Sequence, residues 1–146
     1  MSLQTDRVFF DALKANSELM EAVSERIYNT AIPLPDERAA NVPAPYVIIS
    51  FDGFSNGQNT KDDYESRIDN ISVSILIVAT TRDQLGELVD TIRTTIKEYV
   101  EDANETDPNY SEIPYDYQLS GSQVAYDPDK NARYITLTYA CSVKNY

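Results

Sequence analysis

The segment from residue 64 to residue 100 has the clearest hydrophobic pattern in the chain. Apolar residues occupy every second position from Ile71 to Ile77, whereas the positions between them are polar until Leu76. This alternation predicts a β-strand with one buried face where it begins and two buried faces where it ends. Because a strand buried on both faces lies inside a sheet, we expect it at the sheet centre.

A helix is predicted directly after this strand. Thr81 and Gln84 have the spacing of a capping box, in which each side chain binds a free backbone N–H group of the first helical turn. The apolar residues that follow are spaced by three and four: Leu85, Leu88, Val89, Ile92, Ile96, Tyr99 and Val100. This spacing is typical of an amphipathic helix over 82–101. Gly86 lies inside it, either to allow close packing on the sheet or as a tolerated exposed glycine.

The remaining regular segments are shorter. Two N-terminal helices are predicted, the first capped by Thr5 and Asp6 and the second after Asn16, followed by an extended stretch at 26–28. A β-branched run at 46–51, turn residues over 52–63 and the long strand together predict an antiparallel hairpin. A second hairpin is predicted from a weak strand at 115–126, a turn at 127–132 and a strand at 133–143.

These elements predict one α+β domain over residues 1–146. It contains an about four-stranded, mainly antiparallel sheet, with the long amphipathic helix (82–101) and the short N-terminal helices packed on one face. Two irregular segments interrupt it, a proline-rich arm at 29–45 and an acidic loop at 102–114. Because long loops are often functional, we expect the arm to contact another chain and its removal between Ile32 and Pro43 to prevent assembly without unfolding the monomer.

The net charge of the chain limits the kinds of molecule that it is expected to bind. The net charge is −12, and no lysine or arginine lies between Lys97 and Lys130 although nine acidic residues do. Phosphate binding depends mainly on basic residues, so we expect no specific nucleic-acid binding. Nothing in the sequence indicates export or a membrane span, and the single cysteine, Cys141, is predicted to be a buried thiol. These features suggest a cytoplasmic protein.

Catalytic, cofactor and metal sites are not predicted. The chain has no histidine, which removes the usual general base and the commonest metal ligand. Its carboxylate pairs lie in polar stretches where nothing raises a pKa. The 127–131 stretch resembles the start of a calcium loop, but Ala132 stands where glycine is needed, so we interpret it as a hairpin turn. We therefore expect no enzyme activity.

Candidate interface residues come from the arm, the tip of the first hairpin and the acidic region. Tyrosine provides a large amphipathic contact area that suits interfaces, and the chain has 11, but plain packing on half-buried strands is the favoured interpretation of the loop tyrosines. Tyr115 and Tyr117 alternate with Pro114 and Asp116, so we expect at least one of the two tyrosines to point inward. The candidate residues are Pro33, Pro35, Pro43, Asn56, Gly57, Tyr110, Tyr115 and Tyr117.

The order of these elements resembles the tail terminator or tail completion proteins of phages and prophages. The resemblance spans most of the chain and rests on five features: the helical opening that ends at Val23 to Tyr28, the proline-bearing stretch that leads into 44–49, the strand from Ile71 to Val78, the threonine-capped helix of Leu85 to Ile96 and the closing hairpin at 134–143.

The resemblance implies a structural role in virion assembly. Proteins of this kind form homo-oligomeric, commonly hexameric, rings that cap the tail tube and join it to the head–tail connector, which implies tail-tube and connector proteins as partners and the host cytoplasm or the virion as location. The alternative hypothesis is a protein of a different class: an acidic protein-binding module, inhibitor-like or immunity-like, that covers a basic partner with the 98–129 surface.

Overall fold

The computed structural model describes residues 5–29, 43–56, 68–106, 114 and 116–144. Over these residues the chain forms three α-helices and six β-strands. In chain order they are α1 (Thr5–Lys14), α2 (Ser17–Ala22), β1 (Ile27–Asn29), β2 (Tyr46–Asn56), β3 (Ile68–Ala79), α3 (Arg82–Thr106), β4 (Asp116–Gly121), β5 (Ala125–Asp127) and β6 (Ala132–Lys144). The α+β class predicted from the sequence is confirmed.

The described strands form one mixed sheet in the order β1-β2-β3-β6-β4, with β5 also paired to β6. Only β1 runs parallel to its neighbour in this sheet, and the other pairs are antiparallel. β3 lies in the middle, as predicted. Its register with β2 runs from Tyr46↔Val78 to Asn56↔Asp69, and its register with β6 from Ile68↔Lys144 to Ala79↔Arg133.

The sheet has six described strands rather than the four expected. One added strand is β1, and the other arises because the predicted 115–126 strand is divided into β4 and β5. The break is at Ser122, whose N–H donates to the Thr136 carbonyl at 2.9 Å while its hydroxyl accepts from the Thr136 N–H at 3.0 Å. The hydroxyl thus takes the place of a backbone acceptor and lets the chain turn out of the ladder.

The helices pack on one face of the sheet, as predicted. The core beneath them joins apolar residues of α1, α2 and α3 to the inward positions of β2, β3 and β6. Its largest fully buried side chains include Phe9, Leu13, Leu19, Ile49, Ile71, Ile75, Ile77, Leu85, Ile92, Ile96 and Tyr139. We refer to the opposite side as the open sheet face.

The junction between β3 and α3 follows the predicted cap with one change. The Gln84 N–H donates to the Thr81 hydroxyl at 3.1 Å, as an N-cap requires. The Gln84 side chain, however, accepts from the N–H and hydroxyl of Thr80, one residue before the cap. Gly86 is exposed, and no heavy atom lies within 4 Å of the position its Cβ would take, so the close-packing interpretation is wrong.

α3 ends at Thr106 rather than at residue 101, so the predicted start of the acidic loop at 102 is wrong. The apolar spacing that predicts the helix ends at Val100, and the carboxylates beyond it oppose the helix dipole at a C-terminus. Tertiary contacts outweigh this effect. Ala103 packs against the core, and the Asn104 amide donates to the Pro114 carbonyl at 2.8 Å.

Asp52 and Gly53 form a β-bulge, not the start of the turn that was predicted. The register shifts between Phe51 and Gly53, which leaves Asp52 as the extra residue of β2, and β2 then continues to Asn56. The Ser74 hydroxyl donates to the Asp52 carboxylate across the open sheet face. A bulge adds a residue without ending the ladder, so the turn-forming residues here lengthen and bend the strand instead.

The N-terminal helices differ from prediction only at their start. Thr5 and Asp6 are the first residues of α1 itself and are buried, rather than lying before it as caps. The predicted second helix is confirmed: the Asn16 side chain accepts from the Leu19 N–H at 3.1 Å and caps α2. The same side chain donates to the Thr95 hydroxyl at 2.8 Å, which ties the α1–α2 corner to α3.

Candidate protein interfaces

The open sheet face has an apolar end formed by the first residues of β2 and the last residues of β3. Tyr46, Val78 and Ala132 form a small cluster there, separate from the main core. Four half-buried residues pack against it: Tyr28, Ala44, Ile48 and Leu76. Tyr134, which pairs with Val78, is 38% exposed on the same face. The three residues of this cluster are themselves buried, at 8%, 4% and 1% exposure, so Tyr134 is an exposed aromatic side chain beside a buried apolar cluster.

The other end of the open sheet face is polar and made of small side chains. Three cross-strand rows lie there: Ser50, Ser74, Thr138 and Ser120; Gly53, Ser72, Ala140 and Gln118; and Ser55, Asn70, Ser142 and Asp116. Residues of the last two rows also line a groove of about 520 Å³, together with Phe54, Ile71, Tyr117 and Cys141 from the helix-facing positions of the same strands. Small side chains leave the backbone accessible, so a second flat surface could approach this end closely.

A cavity of about 320 Å³ lies on the helix side, between α3 and strands β4 and β6. We call it the α3–β4 cavity. Its lining residues are Asp90, Arg93, Thr94, Lys97, Tyr117, Leu119 and Tyr139. Arg93 and Lys97 are four residues apart on α3 and therefore project from the same side of the helix. Neither forms an ion pair with another described residue.

Tyr139 forms the floor of this cavity and is 1% exposed. Its ring packs edge-on against Phe9, with centroids 5.1 Å apart, and against Tyr117 at 5.4 Å. Burial raises the pKa of Tyr139 far above its usual value, an effect to which nearby Tyr117 adds and which the Arg93 charge opposes. Burial also raises the pKa of Tyr117, with a smaller contribution from the Glu101 carboxylate. Both phenols are therefore hydrogen-bond donors at neutral pH.

A second groove, of about 400 Å³, lies between α1 and α3 on the opposite flank of the long helix. We call it the acidic groove. Its lining residues are Ala12, Ala15, Asn16, Thr95, Glu98, Tyr99 and Asp102. Glu98, Tyr99 and Asp102 are exposed. This is where the structure places part of the base-free acidic run found in the sequence.

The residues predicted as interface candidates do not form one patch. Pro43 is exposed beside the apolar end of the open sheet face, whereas Asn56 ends β2 at the other end of the sheet. Tyr117 is half-buried and packs on Tyr139, so it is the inward-pointing tyrosine that was expected. The remaining candidates, Pro33, Pro35, Gly57, Tyr110 and Tyr115, lie outside the described residues, as do most of the 29–45 arm and residues 107–113 of the predicted acidic loop.

Sequence reasoning missed the α3–β4 cavity. The available signal was the pair Arg93 and Lys97, the only two basic residues four apart on the predicted helix, facing a strand whose inward side includes Tyr139. A tyrosine among aliphatic residues on a buried face carries a hydroxyl that needs a partner or a cavity. That requirement indicates a polar environment for the hydroxyl but does not locate the cavity, whose lining residues meet only after folding.

Two further predictions have clear outcomes. Cys141 is buried, as predicted, and burial raises the pKa of its thiol to about 12. The Asp127–Asn131 stretch is a turn, as predicted: the Asp129 N–H donates to the Asp127 carboxylate at 3.0 Å and the Tyr126 hydroxyl to the Asn131 side chain at 2.8 Å. Within the described ranges, no three His, Cys, Asp or Glu side chains gather closely enough to hold a metal ion.

Comparison with solved structures shows a likeness of fold. A chain of the virion of a native gene transfer agent particle has a similar fold, with a TM-score of 0.57 and 11% sequence identity. The likeness covers 95% of this chain and 93% of that chain. It therefore extends over the whole architecture and shows that the two chains share a fold.

Other comparisons add no relative. No protein-family model matches the sequence, and no curated protein matches it. Among the described helices, none combines the length and apolarity that crossing a membrane requires.

Proposed function

We propose that this chain is a non-enzymatic structural protein of a phage or prophage virion, of the tail terminator or tail completion type. In this role it forms a ring that caps the tail tube and joins it to the head connector. The observation that carries the proposal is the fold shared, over nearly the full length of both chains, with a component of a gene transfer agent virion. The sequence resemblance to tail terminator proteins supports it independently.

The distribution of surface types fits an assembly protein. On the open sheet face an exposed aromatic side chain, Tyr134, lies beside a buried apolar cluster and next to rows of small polar side chains, and the described helices cover the other face. An exposed aromatic side chain next to polar area is typical of surfaces that another protein covers. We propose that the apolar end of the open sheet face contacts a neighbouring subunit or tail protein in the assembled virion.

A substitution on this face tests the proposal. Tyr134→Glu puts a charge on the open sheet face at a position that is already 38% exposed, so the monomer is expected to fold. Phe54→Glu is the matched control, since Phe54 is 49% exposed but lies on the helix side at the other end of the sheet. Both variants are compared with wild type by analytical ultracentrifugation and by electron microscopy of mixtures with tail-tube subunits.

We expect the wild-type chain to form a ring in solution or at tube ends, Phe54→Glu to do the same and Tyr134→Glu to remain monomeric. Ring formation by Tyr134→Glu at wild-type concentrations would refute the role of the open sheet face. A wild-type chain that stays monomeric both alone and with tube subunits would refute the ring. If that monomer instead bound a basic protein, the binding-module alternative would replace it.

A further inference from the structure

The proline-rich arm is attached to the sheet beside the apolar end of the open sheet face. β1 ends at Asn29, directly after Tyr28 of that face. The described chain resumes at Pro43, and Ala44 is half-buried against the apolar cluster of that face. Both attachment points of residues 30–42 therefore lie next to this surface.

The arm is longer than its two attachment points require. β1 runs parallel to β2 and Asn29 pairs with Ile49, so the chain has to return along β2 by only about 20 Å to reach Pro43. Residues 30–42 span about 45 Å when fully extended. The middle of the arm can therefore extend about 20 Å from the sheet, which is far enough to contact a neighbouring molecule.

The sequence of the arm suits binding over a sheet face. Ile32 and Leu34 each precede a proline, and the residue before a proline favours extended backbone. Pro33 and Pro35 have no N–H group, so this stretch cannot pair regularly along a sheet edge and has to bind through its side chains. Extended segments that contain proline bind to surfaces lined by aromatic side chains.

The apolar end of the open sheet face is a surface of this kind. Tyr134 on β6 is 38% exposed there, and Tyr28 on β1 is half-buried. Ile48 and Leu76, which are also half-buried, lie on the two strands between them. The three strand spacings from β1 to β6 amount to about 14 Å, which is the length of about four extended residues such as 32–35.

We infer that the apolar end of the open sheet face binds the proline-rich arm of a second copy of this chain. The inference rests on the proposed function and names the partner of the surface given there. In a ring, each subunit meets its two neighbours through two different surfaces, and the arm and the open sheet face are two such surfaces. Each copy then contributes its arm to one neighbour and receives the arm of the other.

The distribution of charge favours a second copy as the source of the arm. With 24 acidic and 12 basic residues, two copies repel one another over much of their surface. At the apolar end, however, the cross-strand pairs consist of uncharged side chains, and residues 32–35 are uncharged too. At the margin, Arg26 donates to the Pro45 carbonyl and Asp127 accepts from the Asp129 N–H, so one charge of each sign is present. This contact brings two acidic chains together without opposing their carboxylates.

Substitutions on the two surfaces test the pairing. The arm variant combines Ile32→Asp with Leu34→Asp, and the face variant is Tyr134→Glu. Each should weaken self-association by about 100-fold or more, because each removes an apolar contact and places a carboxylate in it. The matched control combines Thr30→Asp with Asn41→Asp, which adds the same charge at polar positions of the same arm and should leave self-association within about threefold of wild type.

An equimolar mixture of the arm variant and the face variant is the decisive sample. The arm variant retains an intact face and the face variant an intact arm, so one contact between the two chains is possible. All samples are prepared under the conditions in which wild type assembles, then cross-linked and analysed by mass spectrometry. We expect heterodimers in the mixture and monomers of each variant alone. Loss of assembly in the matched control would overturn the inference, since added charge rather than lost apolar contact would then be the cause.

The outcomes separate this inference from the proposed function. If the arm variant assembles like wild type and the face variant does not, the face is an interface but the arm is not its occupant. If both variants are monomeric and their mixture contains no heterodimers, the arm binds its own chain or another protein, and the exchange between copies is wrong. A wild-type chain that is monomeric both alone and with tube subunits would overturn the ring and this inference together.

Discussion

Replacing Tyr139 by phenylalanine should leave the monomer as stable as wild type or make it more stable. The substitution removes one oxygen from a side chain that is 1% exposed and keeps the aromatic ring. The ring contacts with Phe9, at 5.1 Å and 63°, and with Tyr117, at 5.4 Å and 56°, are retained. The side chain lines the α3–β4 cavity, so its hydroxyl can be hydrated there.

The size of the effect follows from the surroundings of the hydroxyl. A buried hydroxyl without any partner costs about 1–3 kcal/mol, but a cavity of about 320 Å³ is large enough to hold water that would reduce the cost. We therefore expect Tyr139→Phe to raise the free energy of unfolding by between 0 and about 1 kcal/mol. Tyr139→Ala, which removes the ring as well, should lower it by about 3–5 kcal/mol.

Urea unfolding followed by circular dichroism measures this difference, at protein concentrations low enough to keep the chain monomeric. The dependence on urea should have the same slope for wild type and Tyr139→Phe, since the area exposed on unfolding hardly changes. Tyr117→Phe serves as the control, because its hydroxyl belongs to a half-buried side chain. A loss of more than about 1 kcal/mol on Tyr139→Phe would refute the reasoning, since it would show that the hydroxyl has a partner within the monomer.

Two further substitutions test local features. Thr81→Ala removes the oxygen that accepts from the Gln84 N–H and should lower the free energy of unfolding by about 1 kcal/mol. The neighbouring Thr80→Ala keeps that hydrogen bond and should lower the free energy of unfolding by less than half as much. Equal losses for the two variants would contradict the cap assignment. Burial raises the pKa of Cys141 from 9.0 to about 12, so the folded chain retains a proton that the unfolded chain releases, and this stabilisation is complete below pH 9 and lost between pH 9 and pH 12. Cys141→Ala should reduce the slope of stability against pH in that window, measured by urea unfolding at each pH, and parallel profiles for the two proteins would argue against it.

The sequence predicted the elements whose hydrophobic pattern is long. β3, α3 and β6 each repeat an apolar position four or more times, so the period of the pattern was enough to locate these elements, their inward faces and the central place of β3. The errors are at positions where a tertiary contact changes a local preference. Asp52 and Gly53 have turn propensity, but pairing with β3 holds them in a bulge. The acidic end of α3 continues because Asn104 binds the Pro114 carbonyl.

The candidate sites were less predictable than the fold. A cavity depends on residues that meet only after folding: Arg93 is on a helix, Tyr117 on an edge strand and Tyr139 on a central strand. No local pattern links these three positions. Conversely, most of the candidate interface residues were selected because they lie in segments predicted to be irregular, and several of them lie outside the described residues. Tyr117 is a candidate that the structure describes, and its ring packs on Tyr139 within the chain.

The position of β6 beside β3 determines when the sheet can close during synthesis. β3 has β2 on one side and β6 on the other, and β6 is the last described strand to leave the ribosome. Until then β3 has an unpaired edge and an apolar face only partly covered by α3. Such an edge recruits other chains. The nascent chain therefore passes through an aggregation-prone stage between the emergence of β3 and that of β6, and fragments that stop before Ala132 leave this edge of β3 unpaired.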